Sequence, residues 1–226
     1  MSGNFRDEGI VLRTRKLSES DRIATIATRH NGKISVVVKS SRKLKSRYGA
    51  CFEPFMHINA EFALGRNLDY AVEAEIVDAF GKCFAIEYEK YFAASQMVEI
   101  LDKLLSEVHE PAEQQYLLLL RAMKMLSTKL EDPIGPNVIS LSYALRCLAL
   151  SGWELDPQNL AASGIKQAPK MPLEDFEDLL EGLLSGNWQA LAKILGEHQV
   201  EDELTKIIAK YTVHHLEKHL KTFSLT

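Results

Sequence analysis

Apolar and polar residues alternate through most of the first eighty positions. Ile10, Leu12 and Thr14 oppose Val11, Arg13 and Arg15, and Ile34, Val36 and Val38 oppose Ser35, Val37 and Lys39. This is the two-residue period of a β-strand with unlike faces. Met56, Ile58, Ala60, Phe62 and Leu64 form the longest such run, and after a turn at 65–67 Leu68, Tyr70, Val72, Ala74 and Ile76 place apolar residues on one face of another. Asn31-Gly32 lies between RIATIATRH and KISVVVKS and predicts a hairpin with a type I′ turn, whose two central residues both need positive φ. Five short strands at hairpin spacing predict a small barrel of the OB type, with an SH3-like barrel as the rival.

Near residue 80 the period becomes helical. Tyr88, Phe92, Met97, Ile100, Leu101 and Leu104 recur at three and four spacing and predict a helix over 85–107. Pro111 opens a second, EDPIGPN breaks it, and a third runs over 138–151 and stops at Gly152. Pro172, Asn187 and Val200 lie near the starts of three more, while 156–170 reads as an irregular surface connection. The expected organisation is α+β, with an OB-fold β-barrel over residues 1–80 followed by an all-α helical domain over 81–226.

Charge divides the chain in the same way. The first fifty residues hold twelve Lys or Arg against four Asp or Glu, and the remainder fifteen against twenty-seven, within a formal net charge of −4. The densest cluster is KSSRKLKSR, residues 39–47, with five cations and no acid. A basic patch held against an acidic average is the footprint of a polyanion binder, most often of nucleic acid. It falls in the connection between the third and fourth strands.

Other chemistry finds little support. No apolar run reaches the roughly 20 residues that span a bilayer, which points to a cytosolic protein without membrane contact. Cys51, Cys83 and Cys147 are too few and too scattered for a disulfide framework or zinc knuckle and read as buried free thiols. His215 and His219 have the i, i+4 spacing of metal ligands but no third ligand, so a solvated helix face is expected. Glu19 and Asp21 read as surface charge balance rather than a catalytic pair. Phosphate-binding, dinucleotide and nucleophile-elbow motifs are absent, so no catalytic residue, cofactor or metal is expected.

The stretch EGIVLRTRKLSESDRI, then Gly32-Lys33, then VVVKSSRKLKSRYGACFEPF resembles the N-terminal domain of the RecO family of bacterial DNA-repair recombination mediators. The likeness continues through LDYAVEAEIVDAF and, more weakly, to the tail HHLEKHLKTF. It implies a non-enzymatic protein, cytoplasmic and nucleoid-associated, that binds single- and double-stranded DNA and anneals complementary strands. It also implies that RecR is a partner in loading RecA onto strands covered by single-strand DNA-binding protein (SSB). Carried over by position, the DNA-facing candidates are Arg13, Arg15, Arg22, Lys33, Lys39, Arg42, Lys43, Lys45 and Arg47. A groove in the helical domain, edged by a cation, is implied as the receptor of the acidic C-terminal tail of SSB, with Arg121 and Arg146 as candidates against the plainer reading of solvated helix flanks.

One departure from that family stands out. Many members carry a four-cysteine zinc site after a Gly-aromatic pair, yet Gly152-Trp153 is followed by ELDPQNLAASG, with Leu160 and Ser163 where the first pair would fall. Tyr48 and Phe55, beside the basic run, are candidates for base stacking if exposed, with Phe55 favoured as core. The alternatives in function are an RNA-binding barrel and an adaptor whose basic loop meets an acidic protein surface.

Overall fold

Strand alternation resolves into a closed five-stranded barrel in a computed structural model that describes residues 3–43, 46, 48–106, 110–130, 134–163, 165, 170–198 and 200–216. The strands are β1 (Asn4–Lys16), β2 (Arg22–Thr28), β3 (Lys33–Val38), β4 (Met56–Ala63) and β5 (Asp69–Ala79). Their order is β1-β2-β3-β5-β4, with β4 returning to β1, and the β3–β5 pair is the parallel one. Ile34, Val36 and Val38 face inward with Val11, Ile26, Ile58, Ala60 and Phe62, so the apolar phase of β3 and β4 forms the barrel interior.

β1 departs from simple alternation. The register slips between Val11, which pairs Ile26, and Arg13, which pairs Thr25. The extra residue, Leu12, lets Val11 point into the barrel while Arg13, only two positions on, points out. Ile10 and Leu12 then pack outside the barrel, in the apolar cluster of the helices. β5 also carries shifts of register against β4. These divide its apolar residues: Ala71 and Ala74 pack on the interior, while Tyr70, Val72, Ile76 and Val77 are exposed.

The β2–β3 hairpin forms, but not through a two-residue I′ turn. Thr28 N–H donates to Gly32 O at 2.7 Å across a four-residue connection, and of Asn31 and Gly32 only Gly32 has positive φ (63°). The cause lies on β1. The Asp7 carboxylate accepts the backbone N–H groups of His30 and Asn31 at 3.0 and 3.1 Å and the Asn31 side-chain amide at 2.8 Å, which holds the turn open.

Among the described residues the helices that follow are α1 (Phe80–Phe84), α2 (Tyr88–Leu104), α3 (Glu113–Leu126), α4 (Pro136–Ala149), α5 (Leu173–Ser185), α6 (Trp188–Glu197) and α7 (Glu201–Leu216). Pro136 opens α4 at its first turn, and the Asn187 side chain caps α6 by accepting from Ala190 N–H. The fully buried Tyr116, Tyr143 and Tyr211 fill the helical core. That core does not end at the barrel: Ile10, Leu12, Ala27 and Phe55 belong to it.

Polar contacts fix the same joint. His57 on β4 lies 2.9 Å from both Asp78 and the Tyr116 hydroxyl of α3. Burial pushes the Tyr116 hydroxyl far above its usual pKa, so it stays protonated at this contact. Arg29 Nε donates to Glu113 at 2.9 Å.

Three expectations change here. Residues 156–170 are not merely a surface connection, because Pro157–Ser163 forms a 3-10 turn and Leu160 and Ile165 enter the core. Cys83 is exposed, unlike Cys51 and Cys147. His215 is not on a solvated face: its ring stacks on Trp153 at 5.3 Å and meets the Tyr211 ring edge-on at 4.5 Å. His219 lies outside the described residues.

Candidate nucleic-acid interface

The loop 39–55 that carries the basic run is gripped at both ends. At its start Ser40 takes a left-handed conformation (φ 55°) and its N–H donates to Asp21 Oδ1 at 2.8 Å. Arg42 N–H donates to Ser20 O at 3.0 Å, and its guanidinium donates to Ser18 O and Glu19 O at 3.0 Å each. Asp21 is thus more than charge balance. The Ser40 N–H and then the Ser20 hydroxyl hold its carboxyl below the usual carboxylate range. At the far end Phe55 adopts φ 66°, its N–H donates to Val11 O at 2.9 Å, and its ring meets Phe84 and Tyr91 edge-on.

The nine candidate cations separate into groups. Lys33 is 5% exposed, and its ammonium donates to the Asp102 carbonyl at 2.5 Å and to the Asp102 carboxylate at 3.3 Å. Arg13 Nε donates to the same carboxylate at 2.6 Å. Both serve the joint between barrel and α2, so Lys33 is not a surface cation: the barrel wall bearing it is covered by helices. Arg22 pairs with Glu53. Arg15, Lys39, Arg42 and Lys43 are exposed and have no carboxylate within 4 Å among the described residues. Arg42 bonds only to carbonyls, which orient its charge without cancelling it. Lys45 and Arg47 lie outside the described residues.

Neither proposed stacking residue is open. Phe55 is 4% exposed and Tyr48 is half-buried against the barrel interior. Tyr70, unremarked in sequence because its alternation reads as core, is 41% exposed, and Lys39 Nζ sits over its ring 5.1 Å from the centroid.

The opposite barrel wall has the opposite sign. Strand register sets Glu8, Asn59 and Glu75 on one rung and Arg6, Glu61 and Glu73 on the next. Arg6 bridges toward Asn59 and Glu75, the latter at 3.6 Å. Carboxylates outnumber the single cation on those rungs, which gives that wall a field unfavourable to phosphate.

Arg121 of α3 and Arg146 of α4 come together in one groove of about 580 Å³, whose floor includes Leu117, Leu118, Leu150 and Leu184 and whose lining also holds Gln114 and Glu154. Burial first, and the charge of Arg121 second, draws the Arg146 pKa down. Among the described residues neither arginine has an anionic partner within 4 Å. Two cations held together over an apolar floor suit a ligand with both a carboxylate and apolar side chains.

Comparison with known proteins agrees along the chain. Residues 1–80 match the family description "Recombination protein O N terminal", and residues 87–223 match "Recombination protein O C terminal". The chain belongs to the RecO family. Similar proteins include "DNA repair protein RecO" of a Nocardioides species, 33% identical over 97% of this chain and 98% of that one, and its counterpart in Bifidobacterium animalis subsp. lactis, 34% identical over 98% of both. The Bifidobacterium longum protein of the same name is 48% identical over 66% of this chain and 61% of its own. This RecO-family chain is therefore a DNA repair and recombination protein with an OB-fold barrel and a helical region.

Its residues do not fit the zinc site of many relatives. Leu160 is buried among apolar side chains, and among the described residues no three His, Cys, Asp or Glu groups are placed to hold a metal ion. No described helix is long and apolar enough to cross a membrane.

Proposed function

We propose that this protein is a non-catalytic recombination mediator that binds single- and double-stranded DNA at the loop 39–55 end of the barrel and anneals complementary strands. With RecR it helps load RecA onto DNA covered by SSB, whose acidic C-terminal tail enters the Arg121–Arg146 groove. This work is done in the bacterial cytoplasm, at the nucleoid. The observation that carries the reading is the set of exposed cations, Arg15, Lys39, Arg42 and Lys43, that have no carboxylate within 4 Å among the described residues, on a loop anchored at both ends and the adjoining strand end, with carboxylates across the barrel.

The mechanism is electrostatic. Each cation that neutralises a phosphate releases condensed counterions, giving affinity without sequence preference. Annealing gains because two backbones that repel each other are screened by one patch. Joint replacement of Arg15, Lys39 and Lys43 by Gln is expected to lower the slope of log affinity against log salt by about 2 for single strands, at roughly 0.7 per phosphate contact. A full-chain variant that keeps the wild-type slope, or a wild type that fails to speed annealing, defeats the proposal. Competition with RNA of equal length tests the RNA-binding alternative.

A further inference from the structure

We infer that Tyr70 is a base-stacking residue for single-stranded nucleic acid, with Lys39 as its paired phosphate contact. This rests on the DNA-binding reading above and adds to it a means of telling unpaired strands from duplex.

Among the described Phe, Tyr and Trp residues of the barrel strands and their loops, Tyr70 is the exposed one. Strand register aligns Arg15 with Ile23, Ile23 with Val37, and Val37 with Tyr70, so all four lie on a single rung across β1, β2, β3 and β5. At about 4.8 Å per strand, Arg15 and Tyr70 are separated by at most roughly 15 Å along the sheet. Ile23 and Val37 between them are buried, at 2% and 6% exposure, so the accessible parts of the rung are its two ends. One end of the rung thus offers a cation and the other an aromatic ring.

Lys39 completes the second end. It follows β3 directly, and its ammonium lies over the Tyr70 ring. The ring also lies near Gly65: a Cβ there would stand 3.1 Å from Tyr70 Cε2, although the Leu68 carbonyl oxygen, 1.8 Å from that position, is what first requires glycine. The ring is held between loop 39–55 and the 64–68 turn, which also carries the exposed Arg66.

A nucleotide offers a flat π surface and an anion a few ångströms apart, and an aromatic ring beside a mobile ammonium matches both. Tyr70 stands on an outward sheet position with Val72 exposed near it, which leaves its ring open to a stacking partner. Carboxylates at Glu61 on β4 and at Glu73 farther along β5 turn the nucleic-acid backbone away from β4 and toward Arg15 and Lys39. In duplex DNA the base faces are already stacked, so only a single strand gains from Tyr70.

The test compares wild type, Tyr70→Ala, Tyr70→Phe and Tyr70→Trp in binding oligo(dT) and a duplex of equal length across a salt series. The expected result is a roughly 5- to 150-fold loss of oligo(dT) affinity for Tyr70→Ala, with salt slope and duplex affinity unchanged. Tyr70→Phe retains binding, and Tyr70→Trp gains a fluorescence change on oligo(dT) that wild type, with Trp153 and Trp188 alone, does not show. Equal losses for single strand and duplex, or a changed slope, mean that Tyr70 merely positions Lys39 and overturn the inference. Wild-type affinity in Tyr70→Ala overturns it as well. A wild type that binds no oligo(dT) at low salt overturns the DNA reading itself, and this inference with it.

Discussion

Gly32 carries two requirements that no other residue meets together. Its φ of 63° is left-handed, and a Cβ there would lie 1.9 Å from the carbonyl oxygen of Glu110. Gly32→Ala is expected to destabilise the protein by about 2 kcal/mol or more, measured as a shifted urea midpoint, because the turn must strain and the helical region must back away. Asp7, which holds that turn, has its pKa lowered: burial acts to raise it, but the hydrogen bonds of Asn31 and His30 outweigh that. A depressed carboxylate pKa contributes stability that is present above the unfolded value near 3.9 and is lost as pH falls through the folded one. Acid unfolding as pH falls below about 4 is expected to be blunted in Asp7→Asn, which lacks that titration; an unchanged acid limb counts against it. The type I′ expectation missed this because Asn31-Gly32 reports local preference, while Asp7 acts from 24 residues away.

At the level of elements, alternation marked β3 and β4 faithfully but misassigned faces on β1 and β5. Register slips at Leu12 and along β5 exchange inside for outside, and a slip depends on how the partner strand is paired. The same limit explains the cations: Arg13, Arg15 and Lys33 look alike in sequence, yet Asp102 of α2 pairs with the exposed Arg13 and the buried Lys33, while Arg15 has no carboxylate within 4 Å among the described residues. Asp102→Ala leaves the buried Lys33 ammonium without its carboxylate and is expected to cost about 3 kcal/mol in thermal or urea unfolding, more than Asp102→Ala combined with Lys33→Met. In the α3–α4 groove, Arg146→Ala is expected to weaken binding of an acidic, apolar-ended peptide about tenfold, read by fluorescence anisotropy. Equal binding removes the groove from consideration.

Across the whole molecule, barrel and helices share one apolar cluster through Ile10, Leu12, Ala27 and Phe55. A single cooperative unfolding transition is therefore expected for the full chain, and two separated transitions in calorimetry contradict it. Charge is polarised over the barrel at the same scale. Replacing Glu61 and Glu73 by Lys extends the basic end onto the acidic wall and is expected to raise duplex and single-strand affinity together and steepen the salt slope by about 1 or more. The chain's own residues determined the barrel-then-helix plan, the turn positions, the basic run and the family, because hydrophobic period, glycine and proline placement and charge density are local properties. Only the tertiary structure decided which of the described cations lack a carboxylate partner, that Tyr70 is exposed while Phe55 is core, and that Arg121 and Arg146 share one groove. These depend on pairing register and on which surface the helices cover, and both are set by contacts between residues far apart in sequence.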